Sequence, residues 1–127
     1  MHTILLVDDD PELRDAVGAI LAVPGYTVLT APDGYEAVRV LAERWVDLLI
    51  ADIKLPGLSG FDLARQAKVM RPHLHVIYLS GQVWRLDRTG PIYGGLLLKP
   101  VRAVDLLDMV HCVMHDDTAA AVVDGAS

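Results

Sequence analysis

The stretch HTILLVDDDPE, residues 2–12, decides the fold. An apolar run that reads as a buried strand ends in three consecutive carboxylates, Asp8, Asp9 and Asp10. Like charges crowded at a strand end repel and raise one another's pKa, so the cluster is costly unless a cation or a helix N-terminus takes up the charge. Downstream, PELRDAVGAILA places Leu13, Ala16, Val17, Ile20 and Leu21 on one helical stripe. Asp10 therefore reads as the N-cap of a helix with Pro11 at its first position. Asp8 and Asp9 are left to be explained by something else.

Outward from this stretch, five short apolar runs alternate with segments of helical period: TILLV (3–7), YTVLT (26–30), DLLIA (47–51), HVIYL (75–79) and GGLLL (94–98). Strands alternating with helices imply a parallel sheet covered on both faces, a doubly wound α/β domain. Asp33 and Glu36 have capping-box spacing, and Ala37, Val38, Leu41 and Trp45 are expected as the buried stripe behind them. GFDLARQAKVM forms a third helix, and AVDLLDMVHCVMH the last, burying Leu106, Leu107, Val110, Val113 and Met114. His111 and His115 in that helix have metal-compatible spacing but no third ligand nearby in sequence, and are expected to face solvent. Cys112 is expected as a small buried hydrophobe.

A net charge of −6, with no cluster of Lys and Arg, argues against nucleic-acid binding. No run approaches a membrane span, and a single cysteine fits a reducing compartment, so a cytoplasmic location is expected. Residues 1–115 are expected to form the domain; 116–127, without periodicity, are expected as a disordered tail or a truncated linker.

In an open parallel sheet the functional crevice lies at the carboxyl ends of the strands. The first run delivers Asp8 and Asp9 there, the third Asp52, the fourth Ser80 and the fifth Lys99, followed by Pro100. Three close carboxylates are tolerated around a hard divalent cation such as Mg²⁺. Mg²⁺ in turn suits phosphate, and an ammonium and a hydroxyl are the groups that hold the remaining oxygens of a transferring phosphoryl group.

Together the segments ILLVDDDPELR, APDGYEAV, DLLIADIKLPGLSGFDLARQ, VIYLSG and LLLKPV resemble the receiver domains of two-component response regulators, a resemblance covering residues 2 to about 115. It implies a flavodoxin-like, CheY-like fold, five parallel strands in the order 2-1-3-4-5. It implies that Asp52 is the phosphoacceptor, attacking the phosphohistidine of a sensor histidine kinase or histidine phosphotransfer protein; slow self-dephosphorylation is expected separately from Lys54, whose long cationic side chain two residues on would hinder the hydrolytic water. It implies that Asp8, Asp9, Asp52 and the backbone carbonyl of Lys54 hold Mg²⁺, or Mn²⁺ in its place. Ser80 and Lys99 would each bind a phosphoryl oxygen, and the Lys99–Pro100 peptide would be cis. The phosphorylated domain would control a partner or an effector.

Two departures from the family pattern stand out. Leu96 occupies the position where many receivers carry a Tyr or Phe, and the stretch 82–95, interrupted by Gly90-Pro91, leaves little room for a fourth helix. That helix is expected to be short, irregular or absent, with Trp84 and Tyr93 packing over the gap. Two other readings compete. Asp8-x-Asp10 has the nucleophile–acid spacing of haloacid-dehalogenase-like phosphatases, which would leave Asp52 without a role. A receiver-like module that binds partners without phosphorylation would not need the full set of site residues.

Overall fold

The computed structural model describes residues 2–81 and 94–115, with the backbone of 121–123. The expected short fourth helix, with Trp84 and Tyr93, lies outside the described residues. The elements run β1 (Thr3–Val7), α1 (Pro11–Ala22), β2 (Thr27–Ala31), α2 (Gly34–Glu43), β3 (Leu48–Asp52), α3 (Gly60–Met70), β4 (His75–Ser80), β5 (Gly94–Leu98), α4 (Ala103–His115) and β6 (Ala121–Val123).

The first five strands are parallel and lie in the order β2-β1-β3-β4-β5. Side chains alternate between the two faces of a strand, and here each face has its own core. Leu5, Val7, Leu49, Ala51, Val76 and Tyr78 meet α2 and α3 on one side. Ile4, Leu6, Leu48, Ile50, Ile77 and Leu79 meet α1 and α4 on the other. Burial on both faces explains why the central strands read as unbroken apolar runs rather than alternating ones; β3 is buried along its whole length.

β6 extends the sheet beyond the five strands expected, pairing parallel to β5 through Gly95↔Ala121, Leu96↔Val122 and Leu97↔Val123. Nothing in the periodicity of 116–127 announces it, because three residues are too few to show a period. The physical demand comes from β5, whose outer edge would otherwise present unpaired backbone groups.

Three side chains depart from their expected burial. Trp45 is 61% exposed, because α2 stops at Glu43 and Arg44 leaves the helix in an extended conformation. Its indole stacks on His73 at 4.0 Å between ring centroids and donates to Asp47 Oδ1 at 3.0 Å. Cys112 is exposed, since α4 turns Leu106, Met109, Val110 and Val113 inward and Cys112 falls off that stripe. Ala16 likewise lies at the exposed edge of the α1 stripe, which buries Val17 and Leu21. His111 and His115 are exposed as expected, and Leu107 and Met114 pack at the margin of the core.

Candidate functional site

Strand register assembles the site. Val7 pairs with Ala51, so the residues that follow, Asp8 and Asp52, emerge side by side where the sheet order reverses between β1 and β3. Asp52 pairs with Leu79 and Ser80 with Leu98, which steps the edge across to Ser80 and Lys99. The Lys99 backbone N–H donates to the Ser80 carbonyl at 2.8 Å, and the Lys99–Pro100 peptide is cis, as the resemblance implies.

Lys99 Nζ lies between two carboxylates, 3.1 Å from Asp8 Oδ2 and 2.9 Å from Asp52 Oδ2. Backbone donors hold the other oxygens: Asp10 N–H meets Asp8 Oδ1 at 2.9 Å and Lys54 N–H meets Asp52 Oδ1 at 3.1 Å. Asp8, Asp52 and Ser80 are buried, while Asp9 and the Lys54 side chain are exposed. Burial pushes the Asp8 carboxyl above the usual range, helped by the Asp52 charge and opposed by the Asp10 N–H and Lys99. Burial pulls the Lys99 ammonium down, yet its hydrogen bonds to Asp52 and Asp8 and their charges outweigh that and raise it. The pocket therefore keeps the Lys99 cation while burial works against the Asp8 anion.

Asp8, Asp9 and Asp52 each offer a carboxylate oxygen, and these atoms lie within 4.8 Å of one another. Hard oxygen donors on one open face suit Mg²⁺. Three carboxylates against one ammonium leave an excess of negative charge that a divalent cation would balance.

Asp10 is turned away from this group. Its Oδ1 accepts from Glu12 N–H at 3.0 Å and Leu13 N–H at 3.5 Å, capping α1. The phosphatase reading needs Asp10 as the acid beside Asp8, and the cap removes it from that role.

The family model for the response regulator receiver domain matches residues 4–111. The chain belongs to this family. It is a signalling domain of two-component systems with a phosphoacceptor function, and not a classical enzyme. Among the relatives of this receiver, the transcriptional regulatory protein GlrR of Escherichia coli is 40% identical over 101 residues, covering 77% of this chain and 23% of GlrR. The response regulator MprA of Mycobacterium ulcerans is 31% identical over 125 residues, covering 92% of this chain and 54% of MprA. The receiver thus spans from about a quarter to about half of these curated relatives. Among solved structures, the response regulator TrrA of Thermotoga maritima, in complex with Mg²⁺ and BeF, superposes with a TM-score of 0.82 at 29% identity, covering 89% of this chain and 99% of that one. Among the described residues, no helix is long and apolar enough to cross a membrane.

Every residue expected at the site reaches the carboxyl edge of the sheet. Two supports were not read from the sequence. Arg14 Nη1 donates to the Asp8 carbonyl at 2.7 Å, holding the β1–α1 turn from the first turn of the helix. Gly60 starts α3 so close to the acceptor strand that a Cβ there would lie 2.3 Å from the Asp52 carbonyl oxygen. A Gly just after a Ser N-cap was the available signal for the second; Arg14 had none, since a basic residue on a helix is ordinarily a solvated charge. Leu96 is fully buried against the α2–α3 face and carries no hydroxyl to exchange partners.

Proposed function

We propose that Asp52 is the residue that takes the phosphoryl group, from a phosphohistidine of a sensor kinase or histidine phosphotransfer protein. The observation that carries this reading is the position of Lys99 Nζ between Asp8 and Asp52 at the switch point of the sheet. A carboxylate oxygen of Asp52 forms the new P–O bond as the P–N bond to the donor histidine breaks, its electron pair staying on that nitrogen. Lys99, already within reach of Asp52, follows the charge onto a phosphoryl oxygen, and the Ser80 hydroxyl donates to another. Asp8, Asp9, Asp52 and the Lys54 carbonyl would hold Mg²⁺, or Mn²⁺ in its place, which would supply further positive charge to the phosphoryl oxygens. The exposed Lys54 side chain, two residues past the acceptor, guards the approach of hydrolytic water, so that self-dephosphorylation is slow.

We read residues 1–115 as the receiver proper and 116–127 as a tail or linker of which 121–123 returns to pair with β5. A cytoplasmic location is part of the same reading. Incubation with acetyl phosphate and Mg²⁺ followed by mass spectrometry tests it. A single acyl phosphate on Asp52, lost in Asp52→Asn, is the expected outcome. Modification of Asp8 or Asp9 refutes the assignment, and a phosphatase turnover that persists in Asp52→Asn revives the phosphatase reading.

A further inference from the structure

All five histidines, His2, His73, His75, His111 and His115, belong to the pole of the sheet opposite the acidic site. His2 precedes β1, His73 and His75 lead into and begin β4, and His111 and His115 occupy the end of α4, which runs back toward the strand starts. Residues four apart on a helix share a face, and the His111 and His115 rings are 4.3 Å apart between centroids. The tertiary fold adds what the helix lacks: the His2 ring lies 6.4 Å from that of His115.

We propose that His2, His111 and His115 form a second metal site, for a borderline divalent transition metal such as Zn²⁺. Three imidazoles bonded to one tetrahedral ion at about 2 Å place their ring centroids about 5 Å apart. The observed separations of 4.3 and 6.4 Å lie on either side of this value. Among the described residues, only the acidic group has ligand atoms all within 4.8 Å of one another, so the histidine site closes by rotation of side chains. All three are exposed, so their rings have room to turn.

His2 is anchored for the purpose. Its carbonyl accepts from Thr27 N–H at 3.1 Å, and its Nδ1 lies 3.8 Å from Asp47 Oδ2. At that distance the Asp47 carboxylate does not hydrogen-bond the ring, but it places negative charge beside it that favours a cation there. Asp47 is itself fixed by Thr3 N–H at 2.8 Å and by the Trp45 indole at 3.0 Å. Imidazole selects Zn²⁺, Ni²⁺ and Cu²⁺, whereas carboxylates with water suit Mg²⁺, so ligand softness separates the two poles. Three protein ligands leave a fourth position for water. An ion there ties the last turn of α4 to the start of β1.

The test is a titration with Zn²⁺ of the full chain carrying Cys112→Ser, in excess Mg²⁺, followed through the imidazole ¹⁵N–¹H resonances. One equivalent is expected to shift His2, His111 and His115 together, leave His73 and His75 in place and raise the melting temperature. His2→Ala and His115→Ala are each expected to weaken binding by at least about tenfold, the loss that follows even from removing a partner that only orients a ligand. Unchanged affinity in His2→Ala reduces the site to a helical pair and overturns the proposal. So does loss of binding in Asp9→Asn, which places the ion at the acidic pole, or a uniform shift of all five histidines, which means nonspecific association.

Discussion

Asp8 and Asp47 sit at opposite poles of the same sheet, both accept backbone N–H groups, and their carboxyls are displaced in opposite directions. For each, burial is the strongest single influence and raises the pKa. At Asp8 it prevails, because the neighbouring Asp52 charge adds to it and the Asp10 N–H and Lys99 do not fully compensate. At Asp47 it is outweighed by Thr3 N–H, the Trp45 indole and the charges of His2 and His73, and the carboxyl falls below its ordinary value. Asp8 is thus charged against its own inclination, which readies the acidic pole for a cation. The histidine pole satisfies its carboxylate with its own donors and uses it to fasten strands together.

Each pole also depends on a glycine, and these give the largest expected effects. A Cβ on Gly94 would lie 1.9 Å from the Val76 carbonyl oxygen, at a φ of +115°. Both the clash and the strained backbone oppose substitution, so Gly94→Ala is expected to cost about 3 kcal/mol or more in urea unfolding. Gly60→Ala has only the clash, with the Asp52 carbonyl oxygen, and is expected to cost about 2 kcal/mol. It should also slow phosphorylation of Asp52 by moving its strand end. A Gly60→Ala variant that is fully stable and fully active would show that the close approach is dispensable.

Metal comes next. With Mg²⁺ at about a hundred times its dissociation constant, wild type is expected to gain about 2.7 kcal/mol over metal-free buffer. Asp9→Asn should lose most of that gain. Without metal, Asp8→Asn is expected to be at least as stable as wild type, because it removes a charge that burial and Asp52 disfavour. An Mg²⁺ response undiminished in Asp9→Asn would detach the cation from the acidic pole.

The pH signatures of the two poles should differ in sign. Asp47, with a lowered pKa, contributes stability that is present above the ordinary carboxylate range and is lost as pH falls through its depressed value. Asp47→Asn is therefore expected to cost about 1 kcal/mol at pH 7, the part-exposed side chain tempering the larger value of a charged hydrogen bond, and the difference should vanish in acid. In metal-free buffer, carbon-13 titration of the carboxyls should find Asp8 above and Asp47 below the ordinary aspartate pKa. The reverse order would dissolve the contrast between the poles. The smallest effect belongs to Trp45→Ala. Its stack on His73 is solvent-exposed, and removing it should cost about 0.5–1 kcal/mol with no change in phosphorylation. A large loss would mean that the indole clamps Asp47 more firmly than its exposure indicates.

Local rules determined much of this protein from the sequence. Hydrophobic period set the five strands and the helices around them. The cap geometry of Asp10 followed from its place before Pro11, and in a parallel sheet the residues at strand ends must gather at one edge. Asp8, Asp52, Ser80 and Lys99 were legible for that reason, since each is only a step beyond an apolar run. Tertiary structure decided what depends on distant partners. Lys99 reaches Asp8 and Asp52 across 91 and 47 residues, and no local pattern encodes on which carboxylate its ammonium comes to rest. The outward turn of Trp45 depends on where α2 stops and on a stacking partner 28 residues on. β6 exists because β5 has an edge to offer, and His2 becomes the neighbour of His115 because α4 returns to the pole where β1 begins. Periodicity records which face of an element is buried; which distant groups meet on the exposed faces and beyond the strand ends is set by the packing of the whole chain.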